Sequence, residues 1–121
     1  MNKQQALHTF FSQFAKSYEE SSVPDDANIE TGYITYQKMF GSFDEPVFLS
    51  ARIWNRSTSW IKADEILNNI NDHLKNGGQI FELDEGRMWI ERGSPFAQAV
   101  SEEDRTIRSY LLNFAVEFLT E

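Results

Sequence analysis

The chain contains no cysteine, which excludes disulfides and thiolate metal sites and leaves nothing that demands an oxidising compartment. It is also short of positive charge. Eleven Lys and Arg stand against nineteen Asp and Glu, a formal net charge of −8 at pH 7. That balance opposes binding to phosphate backbones and anionic membranes, so neither sequence-specific nucleic-acid recognition nor a membrane partner is expected. Long apolar runs are lacking as well. The opening MNKQQALHTFFSQF alternates polar and apolar residues without the continuous apolar core of a signal peptide, and no stretch approaches the ~18 apolar residues of a membrane span. The expectation is a soluble, unprocessed protein. Its 121 residues, 40% hydrophobic and 14% aromatic, suit one domain over residues 1–121 with a single core.

Catalytic hallmarks are missing too. No GxSxG, P-loop, HExxH or GxGxxG occurs, and the glycines fall at turns. His8 and His73 lie on separate predicted helices, neither with a second ligand at metal spacing on its own face, since i,i+1 neighbours such as Asp72 and His73 point apart. The carboxylate clusters Asp25-Asp26, Asp44-Glu45, Asp84-Glu85 and Glu102-Glu103-Asp104 all fall in predicted loops, where solvation would keep a pair from separating its pKa values. The chain is therefore read as a non-enzyme that needs no cofactor and no metal.

What is present is a clear sequence of elements. Leu7, Phe10, Phe11, Phe14 and Tyr18 form one helical stripe between Asn2 and about Glu20, with Asn2 and Gln5 at capping-box spacing. Ser21 to Gly32 has no periodicity and reads as an exposed, mobile loop. Tyr33 to Phe40 and Val47 to Trp54 are aromatic and β-branched, separated by Gly41, Ser42, Asp44 and Pro46, and predict an antiparallel pair. In the second of these, Val47, Leu49, Ala51 and Ile53 share one face, while Phe48, Ser50, Arg52 and Trp54 share the other.

A second helix runs from about Ser59 to Lys75 and stops at Asn76, Gly77 and Gly78. Gln79 to Leu83 and Arg87 to Arg92 flank the three-residue link Asp84-Glu85-Gly86 of a hairpin. Gly93 to Asp104 interrupts regular structure and is expected to be mobile in the free subunit. Ile107 to Phe118 satisfies both a strand and a helix, and the aromatic and β-branched residues of one parity favour the strand. The predicted order is α-β-β-α-β-β-β, an α+β fold with one antiparallel or mixed sheet and helices packed on a face.

Aromatic and arginine residues gather at two places: Trp54, Arg56 and Trp60 in IWNRSTSW, and Trp89, Arg92 and Phe96 in MWIERGSPFAQ. Two uses are open for them on the sequence. They can pack into the core with the arginine stems lying along it, or they can anchor a protein contact, for which Trp and Arg are the favoured residue types.

The succession YITYQKMFGSFDEPVFLSARIWNRSTSW, the helix segment DEILNNINDHL, then GRMWIERGSPFAQ and RSYLLNFAVEFL resembles small tail-terminator or tail-completion proteins of long-tailed bacteriophages and prophages. These are often labelled minor tail or minor capsid proteins. The resemblance runs from Tyr33 to Leu119 and is one of order and composition. It implies a virion structural protein that forms a homo-oligomeric ring, typically a hexamer, on the end of the tail tube. Such a ring stops tube polymerisation and joins the tail to the head connector, so the partners implied are the tail-tube protein and the head-connector protein. The place implied is the virion tail, and the bacterial host cytoplasm before assembly. A different class stays open beside it: a monomeric acidic binding module, of inhibitor or immunity type, that offers loop carboxylates to a basic target.

Overall fold

A computed structural model describes residues 1–38 and 47–119. The link through Gly41, Ser42, Asp44 and Pro46, the end of the predicted strand at Phe40 and the Asp44-Glu45 cluster lie outside the described residues. Helix α1 spans Lys3–Ser12. Its start is the predicted capping box: Asn2 Oδ1 accepts from the Gln5 amide at 2.9 Å, and Gln5 Oε1 accepts from the Asn2 amide at 2.8 Å. The stripe buries Leu7, Phe10 and Phe11 completely.

The helix ends earlier than its periodicity predicts. After a turn at Gln13 and Phe14 the chain enters strand β1, Lys16–Glu19. Phe14 still continues the stripe, meeting Phe10 edge-on with ring centroids 5.4 Å apart. Tyr18 does not. It lies against Tyr33 of strand β2, Tyr33–Tyr36, at 5.7 Å, because four residues of parallel ladder with β2 outweigh one more helical turn. Ser12 and Ser17 share a hydrogen bond of 2.8 Å that ties the helix end to the new strand. Parallel neighbours need a crossover of roughly a dozen residues, and the Ser21–Gly32 loop supplies it. Its second half is fastened to the sheet: Ile29 C=O accepts from the Arg56 amide at 2.8 Å, and Asn55 Nδ2 donates to the carbonyls of Ile29 and Glu30.

Strand β3, Val47–Arg56, pairs antiparallel with β2 on one side and with the last strand on the other. Helix α2 spans Ile61–Leu74, and Ser59 Oγ accepts the Ile61 amide at 3.1 Å just ahead of its first turn. Strand β4, Gln79–Leu83, turns at Asp84 and Glu85 into strand β5, Gly86–Val100. The link is thus two residues, with Gly86 already in the ladder opposite Leu83.

β5 is also far longer than the predicted Arg87 to Arg92. Gly93 and Pro95 look like strand breakers, yet the register only shifts between Arg92 and Ala97, and Ala97 to Val100 pair with Leu112 to Ser109 of strand β6, Ile107–Leu119. The bulge absorbs both residues. Gly93 is needed there, since a Cβ would stand 2.8 Å from the Asn113 carbonyl oxygen. The segment expected to be mobile is therefore strand up to Val100 and loop only beyond it.

The result is one mixed six-stranded sheet, ordered β1-β2-β3-β6-β5-β4, in an α+β fold. The chain order is α-β-β-β-α-β-β-β, one strand more than predicted. Both helices lie on the face that carries Ile34, Leu49, Ala51, Ile53, Met88, Ile90, Leu112, Phe114 and Val116, and these residues form the core with Phe10, Phe11, Ile66 and Ile70. Ahead of α1 the chain is tied to the turn after β4, where Met1 C=O accepts the Asp84 amide at 3.0 Å and its amino group pairs with the Asp84 carboxylate at 2.9 Å. No helix among the described residues is long and apolar enough to cross a membrane.

Candidate functional site

With both helices on one side, no helix or strand among the described residues covers the other side of the sheet, and the β5–β6 loop reaches onto it through the ion pairs Glu102–Arg52 and Asp104–Arg56. Strand alternation decides what it displays. In β3 the core takes Leu49, Ala51 and Ile53, so Phe48, Ser50, Arg52, Trp54 and Arg56 point away from it. The cross-strand register adds Tyr33 and Thr35 from β2, Leu111, Asn113, Ala115 and Glu117 from β6, and Trp89 and Glu91 from β5. Ile80 of β4 lies beside Trp89.

Two apolar groups stand at opposite ends of this bare face. At one end Phe48 is 81% exposed and Ile80, three strands away, is 52% exposed, and the strands between them carry Ala115 and Trp89 together with their cross-strand partners Glu91 and Glu117. The other open large apolar side chains, Ile61 of α2 at 75% and Met1 at 44%, lie off this face. At the other end Tyr18, Tyr33 and Trp54 cluster, and the Arg52 guanidinium lies over the Trp54 ring at 4.1 Å. Arg52 also holds Glu102 in an ion pair and donates to Ser109 Oγ at 3.0 Å. Between the two ends Ser50 Oγ and Asn113 Oδ1 share a 3.3 Å hydrogen bond.

The polar atoms of this face are largely satisfied from within. The Trp54 indole N–H donates to Thr35 Oγ1 at 3.0 Å and the Trp89 indole N–H to Gly77 C=O at 2.7 Å, which leaves ring faces as the available surface. Arg56 pairs with Asp104 at 3.6 Å and Arg87 with Glu82 at 3.0 Å. Thr106 donates to Asp104 from hydroxyl and amide and holds that carboxyl below its usual range, with Arg56 adding to the effect. Burial raises the phenol of Tyr33 above its usual range. On a chain of −8 overall, this face carries its charges mostly as internal pairs, with Lys16, Glu91 and Glu117 left over.

The six residues singled out in the sequence divide between the two faces. Trp54, Arg56 and Trp89 belong to the bare one. Trp60, Arg92 and Phe96 belong to the helix-covered one: Trp60 packs on Tyr110 at 5.1 Å beside the start of α2, Arg92 Nη1 donates to Asn71 of α2 at 2.8 Å, and the Phe96 ring meets Phe114 edge-on at 5.5 Å. The aromatic-arginine pattern did not single out Phe48, Ile80, Tyr18, Tyr33 or Arg52. For Phe48 and Arg52 a signal was present, since strand parity already groups them with Trp54. His8 shares a 3.3 Å hydrogen bond with the Tyr36 hydroxyl and His73 bonds Gln79, and no group of three or more His, Asp or Glu among the described residues is arranged to hold a metal ion. No family model, curated protein or solved structure matches the chain.

Proposed function

We propose that the protein is a structural assembly subunit that associates with copies of itself through the bare sheet face, in the manner of a tail terminator of a long-tailed phage or prophage. The carrying observation is that face itself: six strands on which no helix or strand among the described residues packs, with Phe48 81% exposed on one side of it and an aromatic-arginine cluster on the other. A sheet face of this kind gains by being covered, and a neighbouring copy that lays a different part of its surface on it makes the head-to-tail contact from which a closed ring is built. In a virion the subunits close into a ring, a hexamer in the family resembled, that seats on the tail-tube protein and receives the head-connector protein. A terminator works by contact and needs no active site. An acidic ring also removes the counterion-release gain that would make passing DNA adhere to it.

The alternative of a monomeric acidic binding module draws on the exposed carboxylates of Asp25, Asp26, Asp84 and Glu85, and it leaves the exposed Phe48 and Ile80 without a role. Negative-stain electron microscopy of the purified protein separates the two. Closed rings of uniform subunit number, lost in a Phe48→Asp variant that stays folded, support the terminator. Single small particles at every concentration would favour the binding module.

A further inference from the structure

We propose a second binding site, at the margin of the bare face: a cleft between the start of α2 and the loop joining β5 to β6, which takes a carboxylate carried beside an apolar side chain, the chemistry of an acidic peptide segment. The cleft measures about 370 Å³, and its apolar wall is formed by Trp60, Val100 and Ile107. Two guanidiniums, Arg105 and Arg108, share it. Such a pair in one concavity is out of character for a chain of net −8.

Arg108 is held in place before any ligand arrives. Its Nε donates to Ser57 C=O and its Nη2 to Thr58 C=O, both at 3.1 Å, and the guanidinium lies 5.4 Å from the Trp60 ring centre. A guanidinium has five N–H donors, so the remaining ones stay available for an acceptor. Arg105 has neither a hydrogen bond nor an ion pair with any described residue and is exposed. The nearby carboxylates are engaged elsewhere. Glu102 lines the cleft but is paired with Arg52, Asp104 is taken by Thr106 and Arg56, and Asp64 accepts the Tyr110 hydroxyl. Glu103 and Asp104 are not among the lining residues.

Charge alone would admit any small anion. The apolar wall selects among them, because a hydrated phosphate gains nothing from Trp60 and Ile107, whereas a carboxylate with an aromatic or aliphatic neighbour fills the wall and meets the fork of Arg108 in bidentate fashion. The carboxylate can be an acidic side chain or a chain terminus, and the two are separable by experiment.

The test is a titration of the full chain, labelled for amide NMR, at fixed ionic strength and pH 7. The probes are N-acetyl-Phe-Glu-amide, its Gln counterpart, N-acetyl-Leu-Phe with a free carboxyl terminus, its amide, and sodium phosphate. The expected result is saturable shifts confined to the Trp60 indole and the amides of residues 99–108 with one or both carboxylate peptides, at least tenfold weaker with their neutral counterparts. Arg105→Gln, at an exposed position that supports no other contact, should weaken binding about tenfold with the rest of the spectrum unchanged. Arg108→Gln should weaken it further, and Arg105→Gln carries the test if that variant unfolds. Shifts of equal size from the neutral peptides, equal affinity for phosphate, or no saturation with any peptide would each overturn the proposal. None of these results decides whether the bare face joins copies of this chain.

Discussion

Tyr110 stands on the helix-covered side of β6 with its hydroxyl donating to Asp64 of α2, and burial followed by that hydrogen bond pushes its phenol up from near 10 to about 12. Burial also raises Tyr33 and Tyr36. A raised phenol keeps its proton in the folded protein when the unfolded chain has already released it. Its contribution is therefore fully present below pH 10 and is lost as pH climbs from there toward 12. Urea denaturation between pH 8 and 11.5 should show this decline, and it should be shallower in Tyr110→Phe, which also costs about 1 kcal/mol at neutral pH through the lost hydrogen bond. Identical alkaline decline in both proteins would place the titration elsewhere. Two further residues test the packing. Ile66→Ala should cost ~2–5 kcal/mol, because Ile66 is 1% exposed and its loss leaves a cavity. Gly78→Ala should also destabilise, since φ is 82° and a Cβ would stand 2.2 Å from the Ile90 carbonyl oxygen. Thermal melts rank these variants; an Ala at position 78 that melts with the wild type would refute the close approach. Much at this scale was legible in sequence. The Asn2–Gln5 capping box and the alternation of Leu49, Ala51 and Ile53 are local patterns and needed no tertiary information. That Phe48 lies off the core was legible from parity, since Leu49, Ala51 and Ile53 make the other face the apolar one, whereas the extent of its exposure was not, because no local pattern says what else packs on its side.

Elements were legible where local preference and tertiary packing agree. Helix α2 and the hairpin follow from local pattern, the hairpin with a link one residue shorter than the predicted Asp84-Glu85-Gly86, while Ile107 to Phe118 fits both periods and only its aromatic and β-branched residues favour the strand it forms. β1 was hidden because Tyr18 completes a helical stripe with Phe14, and only the availability of β2 as a parallel neighbour turns Lys16–Glu19 into strand. The second half of β5 was hidden because Gly93 and Pro95 signal a break, while the sheet answers with a bulge between Arg92 and Ala97. Hydrogen exchange measures both corrections. Amides among Ala97 to Val100 that face β6 should exchange slowly, as strand amides do, while those of Ser101 to Arg105 exchange fast. In the crossover loop, Asp25 and Asp26 should exchange fast. Rapid exchange throughout 93–104 would restore a mobile segment and remove the second half of β5.

For the whole molecule, charge and shape act together. Each subunit carries −8, so neighbours repel at long range, and the repulsion fades as the Debye length shrinks from ~30 Å at 0.01 M salt to ~10 Å at 0.1 M. Association should therefore strengthen as salt rises; an oligomer that dissociates steadily over that range would mean that ion pairs between subunits hold it. The α+β class and the single core could be read from composition and periodicity, whereas the candidate surface required knowing that both helices choose one side of the sheet. The claim that the uncovered face joins copies of this chain is tested most directly by light scattering on the protein as it elutes from a sizing column, over a wide range of loading concentration in 0.1–0.5 M salt. A mass that is one fixed multiple of 14.1 kDa for the wild type, returning to the single-chain mass in a folded Phe48→Asp, Ile80→Asp double variant, is the predicted result. A wild-type mass of 14.1 kDa at every concentration would contradict it.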